Sequence, residues 1–146
     1  MKDCLGCELA NKELPVYVVY ENEYVCCFLD HDPYNEGHTL ILPKAHRSEL
    51  VELDELLANE IMKISIVIAK ALKHLYQPDG ITINQNNGIF NELSHYHMHV
   101  VPRYSNRSFE DFYSEEPMDN AHLKERLSVT QEVMVSEIGR ILSCEE

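Results

Sequence analysis

Three histidines separated by single residues, His95-Tyr96-His97-Met98-His99, constrain this chain more than any other stretch. Side chains of a strand repeat every two residues, so on a strand all three imidazoles leave one face. On a helix they would be spread around the axis at about 100° per residue. Val100, Val101 and the closing Pro102 favour the strand. The opposite face then carries Tyr96, Met98 and Val100, which read as core. A buried imidazole needs polar partners, so three on one strand face make a poor core and a good site. The residues alone leave three readings: a metal site, a phosphate-handling site, or both side by side.

The rest of the chain reads as scaffold for that strand. Residues 15–22 (PVYVVYEN) and 24–29 (YVCCFL) form strands joined by a turn at Glu21-Asn22-Glu23. Cys26 and Cys27 inside the second strand face opposite sides as small packing residues. Asp30-His31-Asp32-Pro33 breaks that strand, and residues 37–43 form a third that runs into Lys44-Ala45-His46. From Asp54 to Tyr76 the apolar residues Leu57, Ile61, Ile64, Ile68, Ala71, Leu72 and Leu75 recur at three- and four-residue steps. This is an amphipathic helix, stopped by Pro78 and Gly80. Residues 80–84 make a fourth strand, and the polar run 85–88 turns the chain into the histidine strand. Residues 103–120 read as an irregular, acidic, solvated connection. A helix over about 120–142 lines one face with Leu123, Leu127, Met134, Ile138 and Ile141, with Asn120 as its N-cap. No internal repeat or low-complexity tract interrupts the chain. The prediction is one domain over residues 1–146, of class α+β: a five-stranded, mainly antiparallel sheet with a long amphipathic helix and a C-terminal helix.

The net charge of −13 argues against an electropositive face for nucleic acid. It does not exclude a small anionic ligand, because a local site can oppose the global field. No apolar run approaches about 20 residues, so no membrane span is expected. The opening MKDCLGCELANKE has no apolar signal core, and a cytoplasmic address is the expectation. Five cysteines, an odd number, do not look like a secreted disulfide framework. The spacing Cys4-x-x-Cys7 suits half a zinc site or a redox pair. A redox pair normally follows a strand, and only three residues precede Cys4, so metal is favoured; two inert thiols are the plain alternative.

The histidine run followed by two apolar residues resembles the histidine-triad (HIT) family of nucleotide hydrolases and transferases. Gly37-His38-Thr39-Leu40-Ile41-Leu42-Pro43-Lys44-Ala45-His46 is similar to that family's strand leading into a PK-x-H segment. Phe28-Leu29-Asp30 before Pro33 is similar to its nucleoside-binding stretch, and Cys4-x-x-Cys7 resembles its zinc-bearing bacterial branch. The likeness covers about residues 3–104. It implies a five-stranded antiparallel sheet with a long helix, paired into a homodimer with one continuous sheet. It implies a hydrolase acting at the α-phosphate of a purine nucleotide or dinucleotide, either a dinucleoside polyphosphate or a nucleoside phosphoramidate. His97 would be the nucleophile, forming a covalent nucleotidyl-histidine that water resolves. His99 would bind phosphate and assist the leaving group. Asn84, placed eleven residues before His95, would contact the phosphate. Asp30 would take the ribose hydroxyls and Phe28 would line the base pocket. Cys4, Cys7, His46 and His95 would hold one structural zinc in a closed tetrahedral site.

The chain departs from the family's Gly-Gln-x-Val-x segment, reading Phe90-Asn91-Glu92-Leu93-Ser94 instead. Asn91 replaces a Gln amide with less reach, and joins the nucleotide-binding set. Glu92 puts a carboxylate where a Ser or Thr usually donates to phosphate, which bears on the substrate more than on the chemistry. Two other functions compete with the hydrolase: a zinc-stabilised nucleotide-binding module with little turnover, and a hydrolase whose zinc is held by all three histidines.

Overall fold

A computed structural model describes residues 4–144, so the ends of the expected 1–146 unit and residue 3 of the family-like stretch lie outside the described residues. The chain runs α1 (Leu5–Ala10), β1 (Val18–Glu21), β2 (Val25–Leu29), β3 (Thr39–Pro43), α2 (Glu55–Tyr76), β4 (Gly80–Asn84), β5 (Met98–Arg103), α3 (Ala121–Lys124) and α4 (Leu127–Cys144). Short 3-10 turns fall at Leu50–Glu52, Gly88–Phe90 and Phe109–Tyr113. The five strands form one sheet in the order β1-β2-β3-β5-β4, antiparallel at every neighbour. The expected α+β class, five-stranded antiparallel sheet and long helix are all present. Among the described residues no helix is long and apolar enough to cross a membrane.

The long helix forms where its period demanded. The Asp54 carboxylate accepts from the Leu57 N–H at 2.8 Å and caps the first turn. Gln77 adopts φ 48° and closes the last turn through its N–H to the Lys73 carbonyl, with Pro78 next. Leu57, Ile61, Ile64, Ile68, Ala71 and Leu72 are buried on one side. They pack with Met134, Ile138 and Ile141 of α4 against Cys27, Leu29, Ile41, Tyr96, Met98 and Val100 of the sheet side. Each such fully buried aliphatic side chain contributes about 1.5–3 kcal/mol, so this layer carries the fold. A smaller cluster of Ala10, Cys26, Phe28, Leu40 and Leu42 covers the other sheet face. Cys26 and Cys27 thus serve opposite faces, as the strand alternation requires. Leu40 lies directly across from His99, which puts the histidines on the thinner side of the sheet.

One element was unforeseen, and four expectations need correction. The C-x-x-C lies on a six-residue helix, α1, too short to leave a periodic signature. The histidine strand begins only at Met98: Ser94 takes φ 56°, and the chain bends at His95 before straightening into the ladder. The three imidazoles therefore do not share one environment. The C-terminal helix is broken at Glu125-Arg126 into α3 and α4. Asn120 makes no side-chain cap; it is buried, and its amide donates to Asp32 Oδ1 at 2.8 Å and the Pro33 carbonyl at 2.9 Å. Finally, residues 103–120 are not only a solvated connection, because Phe109–Tyr113 folds back over the histidines.

Candidate active site and metal centre

On the thin face lies a cavity of about 770 Å³. Leu5, Leu9, Val16, Phe28 and Leu40 give it an apolar wall, and Asp30, His38, His97 and His99 a polar one. Each imidazole is oriented by a partner that also fixes its tautomer. His97 Nδ1 lies 2.9 Å from the His95 carbonyl, which can only accept, so Nδ1 carries the proton. The Nε2 lone pair of His97 is then free. His38 Nδ1 accepts from the Tyr34 N–H at 3.0 Å, so its proton is on Nε2, 2.9 Å from His99 Nδ1. His99 in turn carries its proton on Nε2. The result is a relay from the Tyr34 main chain through two neutral rings, ending in an N–H donor beside His97. The His97 and His99 ring centroids are 5.1 Å apart.

Burial pushes both relay histidines down to about 3, with the neighbouring imidazoles adding to the shift at His99. Both are therefore neutral at pH 7. Asp30, half-buried, has its carboxyl raised by desolvation; its Oδ1 accepts the Asp32 N–H at 2.9 Å and its Oδ2 sits 3.5 Å from His38 Nε2. Donor atoms of Asp30, His38 and His99 lie within 4.8 Å of one another, a spacing that admits a metal. The Tyr34 N–H argues against one: a neutral imidazole ligates through its unprotonated nitrogen, and in His38 that nitrogen faces Tyr34, not the cluster.

A second cluster has the opposite character. Single donor atoms of Cys4, Cys7, His46 and His95 all lie within 4.8 Å of one another. His95 Nε2 donates to the Pro43 carbonyl at 2.8 Å, which leaves Nδ1 unprotonated and facing the thiols. The Nδ1 to Sγ separations are 3.5 Å for His95–Cys4, 3.6 Å for His95–Cys7 and 3.2 Å for His46–Cys7. Zinc bonds of about 2.3 Å to sulfur and 2.0–2.1 Å to nitrogen place tetrahedral ligand atoms about 3.6 Å apart. The donor set and its spacing fit zinc. Cys4 also accepts the Cys7 N–H at 3.3 Å, capping α1. Gly6 between them has no substitute: a Cβ there would lie 2.2 Å from the Cβ of His95.

Of the residues predicted from sequence, the cavity gathers Phe28, Asp30, His97 and His99, while His46 and His95 turn to the cysteines. Asn84 pairs across from His99, and its amide donates to the Tyr113 hydroxyl at 2.8 Å. Asn91 is a correction. Its amide donates to the Ser48 carbonyl at 2.6 Å and its oxygen accepts the Leu93 N–H at 3.1 Å, so it ties its loop to the one carrying Ser48 and does not line the cavity. The short side chain reaches these main-chain groups before anything else. Glu92 does line the cavity.

Three residues were missed. His38 was read as strand only, although the two-residue period from Leu40 puts it on the site face. Phe112 stands edge-on to His99 at 5.3 Å, and Tyr113 lines the cavity beside it. Their signal was the aromatic triplet Phe109, Phe112 and Tyr113 inside an acidic stretch. The turn is fastened by the Tyr34 hydroxyl, 2.7 Å from both the Ser108 carbonyl and Asp111 Oδ1.

An open antiparallel sheet with paired, tautomer-locked histidines at the start of β5 defines a histidine-triad protein. Residues 11–106 match the HIT domain family, and the chain belongs to it. An uncharacterized HIT-like protein of Borreliella burgdorferi is 40% identical over 113 residues, 75% of this chain and 81% of that one. An adenosine 5'-monophosphoramidase of Saccharomyces cerevisiae is 34% identical over 107 residues, 72% of this chain and 65% of the yeast protein. The crystal structure of a zinc-bound histidine triad family protein from Mycobacterium smegmatis superposes with a TM-score of 0.77 at 25% identity, covering 97% of each chain.

Proposed function

We propose that the protein hydrolyses nucleoside phosphate derivatives at the α-phosphate through a covalent nucleotidyl-His97. The observation that carries this reading is the Nδ1 hydrogen bond of His97 to the His95 carbonyl, which aims a free Nε2 lone pair into the cavity. Nε2 forms a bond to the α-phosphorus, and the bond from phosphorus to the leaving group breaks. Water then attacks the same phosphorus, and the P–N bond breaks to return His97 and a nucleoside monophosphate. His99, a fixed Nε2–H donor, binds a phosphate oxygen and assists the departing group. Asp30 accepts the ribose hydroxyls, Phe28 with Leu5 and Leu9 holds the base, and Asn84 acts from β4 through the hydroxyl of Tyr113, which lines the cavity.

Among the described lining residues there is no lysine or arginine, while Asp30, Asp32, Glu92 and Glu115 are all carboxylates. That balance disfavours a polyphosphate leaving group and favours a purine nucleoside phosphoramidate over a dinucleoside polyphosphate. The name of the yeast relative points the same way. Cys4, Cys7, His46 and His95 would bind one zinc, whose role is to hold these side chains and not to activate water. We read residues 1–146 as one unit acting in the cytoplasm, where unpaired thiols persist. The open edge of β4, with Ile83, and the half-exposed Met62 and Ile66 on α2 support pairing of two copies across that edge. The test is turnover of adenosine 5'-phosphoramidate by wild type and His97→Ala. The hydrolase reading expects His97→Ala to lose several orders of magnitude in kcat while still binding AMP and zinc. Retention of even about a tenth of kcat would favour the binding-module reading, with any turnover lying elsewhere.

A further inference from the structure

We infer that the metal centre positions the nucleophile and one wall of the nucleotide cavity, through His95 and α1, and does not hold the fold together. The inference rests on the roles proposed above for His97 and the cavity.

His95 is fully buried and is held at three points. Its ring meets the Pro43 carbonyl through Nε2 and the two thiols through Nδ1, and its main-chain oxygen accepts His97 Nδ1–H. One residue thus joins the metal donors to the nucleophile. His95 and His97 both precede the β5 ladder, which starts at Met98, so strand pairing does not aim the His95 carbonyl. The Tyr96 N–H to the Arg47 carbonyl, at 2.7 Å, is a main-chain tie in this segment. The Tyr96 N–H and the His95 carbonyl belong to one planar peptide, so that bond to Arg47, the neighbour of the donor His46, and the side-chain anchoring of His95 together set the direction of the carbonyl, and the carbonyl sets which nitrogen of His97 carries the proton. A partner that orients a ligand in this way typically matters by about 10- to 100-fold in affinity or activity.

The same centre fixes α1. Six residues fall well short of the roughly 12–15 an isolated helix needs, so α1 depends on its tertiary contacts. Cys4 and Cys7 face the metal donors, Gly6 abuts the His95 Cβ, and Leu5 and Leu9 line the cavity. The helix is a thin wedge between the metal centre and the substrate. The main core of sheet, α2 and α4 has no member from α1, and the smaller cluster takes Ala10 from it with Leu9 packed alongside. Loss of the metal should therefore free the cavity wall and the His97 tautomer while the core stays folded.

The test compares zinc-loaded wild type with the same protein stripped by a chelator, and with Cys7→Ser as an independent way to break the site. Far-UV circular dichroism reports the fold, calorimetry reports AMP affinity, and long-range 1H–15N spectra report the His97 tautomer. Zinc-loaded protein is expected to show one Nδ1–H tautomer at His97. Stripped protein and Cys7→Ser should stay folded, show mixed tautomers and bind AMP at least about tenfold more weakly, with zinc restoring both properties to the wild type. Leu9→Ala should weaken AMP binding and leave the tautomer unchanged. The inference is overturned if stripped protein unfolds, if it stays folded with tautomer and AMP affinity intact, or if metal-replete protein takes up no zinc. If zinc-loaded protein fails to bind AMP, the reading of the cavity fails, while the tautomer measurement still decides the coupling.

Discussion

At the scale of single residues, the chemistry divides according to what each side chain already touches. The Asp30 carboxylate keeps capacity to accept beyond its bond from Asp32 N–H, and its role in the proposed reaction is to bind the ribose. Hydrogen bonds to a charged group are worth about 1.5–3 kcal/mol, so Asp30→Ala should raise KM by about 10- to 100-fold and change kcat little. Steady-state kinetics check this, and an unchanged KM with collapsed kcat would refute the ribose assignment. Glu92 lines the cavity with a charge that repels phosphate. Glu92→Ser should therefore tighten AMP binding in calorimetry, whereas an unaltered affinity would mean that the carboxylate faces solvent. His97 and His99 stand out by their two-residue spacing, whereas only the family resemblance singles out Asp30. Asn91 was misjudged and His38 missed for a common reason. A hydrogen-bond partner on another loop, Ser48 for one and Tyr34 for the other, decides where these side chains point.

At the scale of elements, period decided what could be foreseen. The strands and α2 carry enough residues to show alternation or a three-four step, and they fall within a few residues of the expected bounds. The exceptions are short. α1 and the Phe109–Tyr113 turn each span about one turn or two, too little for a period, and both prove to wall the cavity. The break between α3 and α4 was hidden because the apolar residues continue in phase across it. A direct test of α1's seat is Gly6→Ala. The added methyl would lie 2.2 Å from the Cβ of a fully buried histidine, so helix or ring must move. Zinc affinity measured by competition with a chromophoric chelator should fall by about tenfold or more. Unchanged affinity would show that α1 can shift without disturbing the donors.

At the scale of the whole molecule, the buried relay links stability to pH. His38 and His99 have pKa values lowered to about 3 in the folded state, against about 6.5 when unfolded. Between these values the unfolded chain binds more protons, so stability is full above about pH 6.5 and is lost as pH falls toward 3. Asp30, raised by burial, works against this slope. Urea denaturation at pH 7, 5.5 and 4.5 should show the midpoint falling, and His38→Gln should flatten the fall. A midpoint independent of pH would mean that the relay is not buried as described. The account as a whole stands on covalent chemistry at His97, whose Nε2 is left free by the His95 carbonyl. The most direct measurement is a rapid acid-free quench of a single turnover of adenosine 5'-phosphoramidate, followed by peptide mass spectrometry. The account predicts an adenylyl adduct on the peptide carrying His97 that forms and decays fast enough to support kcat, and that is absent in His97→Ala. Turnover at the full rate with no adduct on that peptide would contradict it.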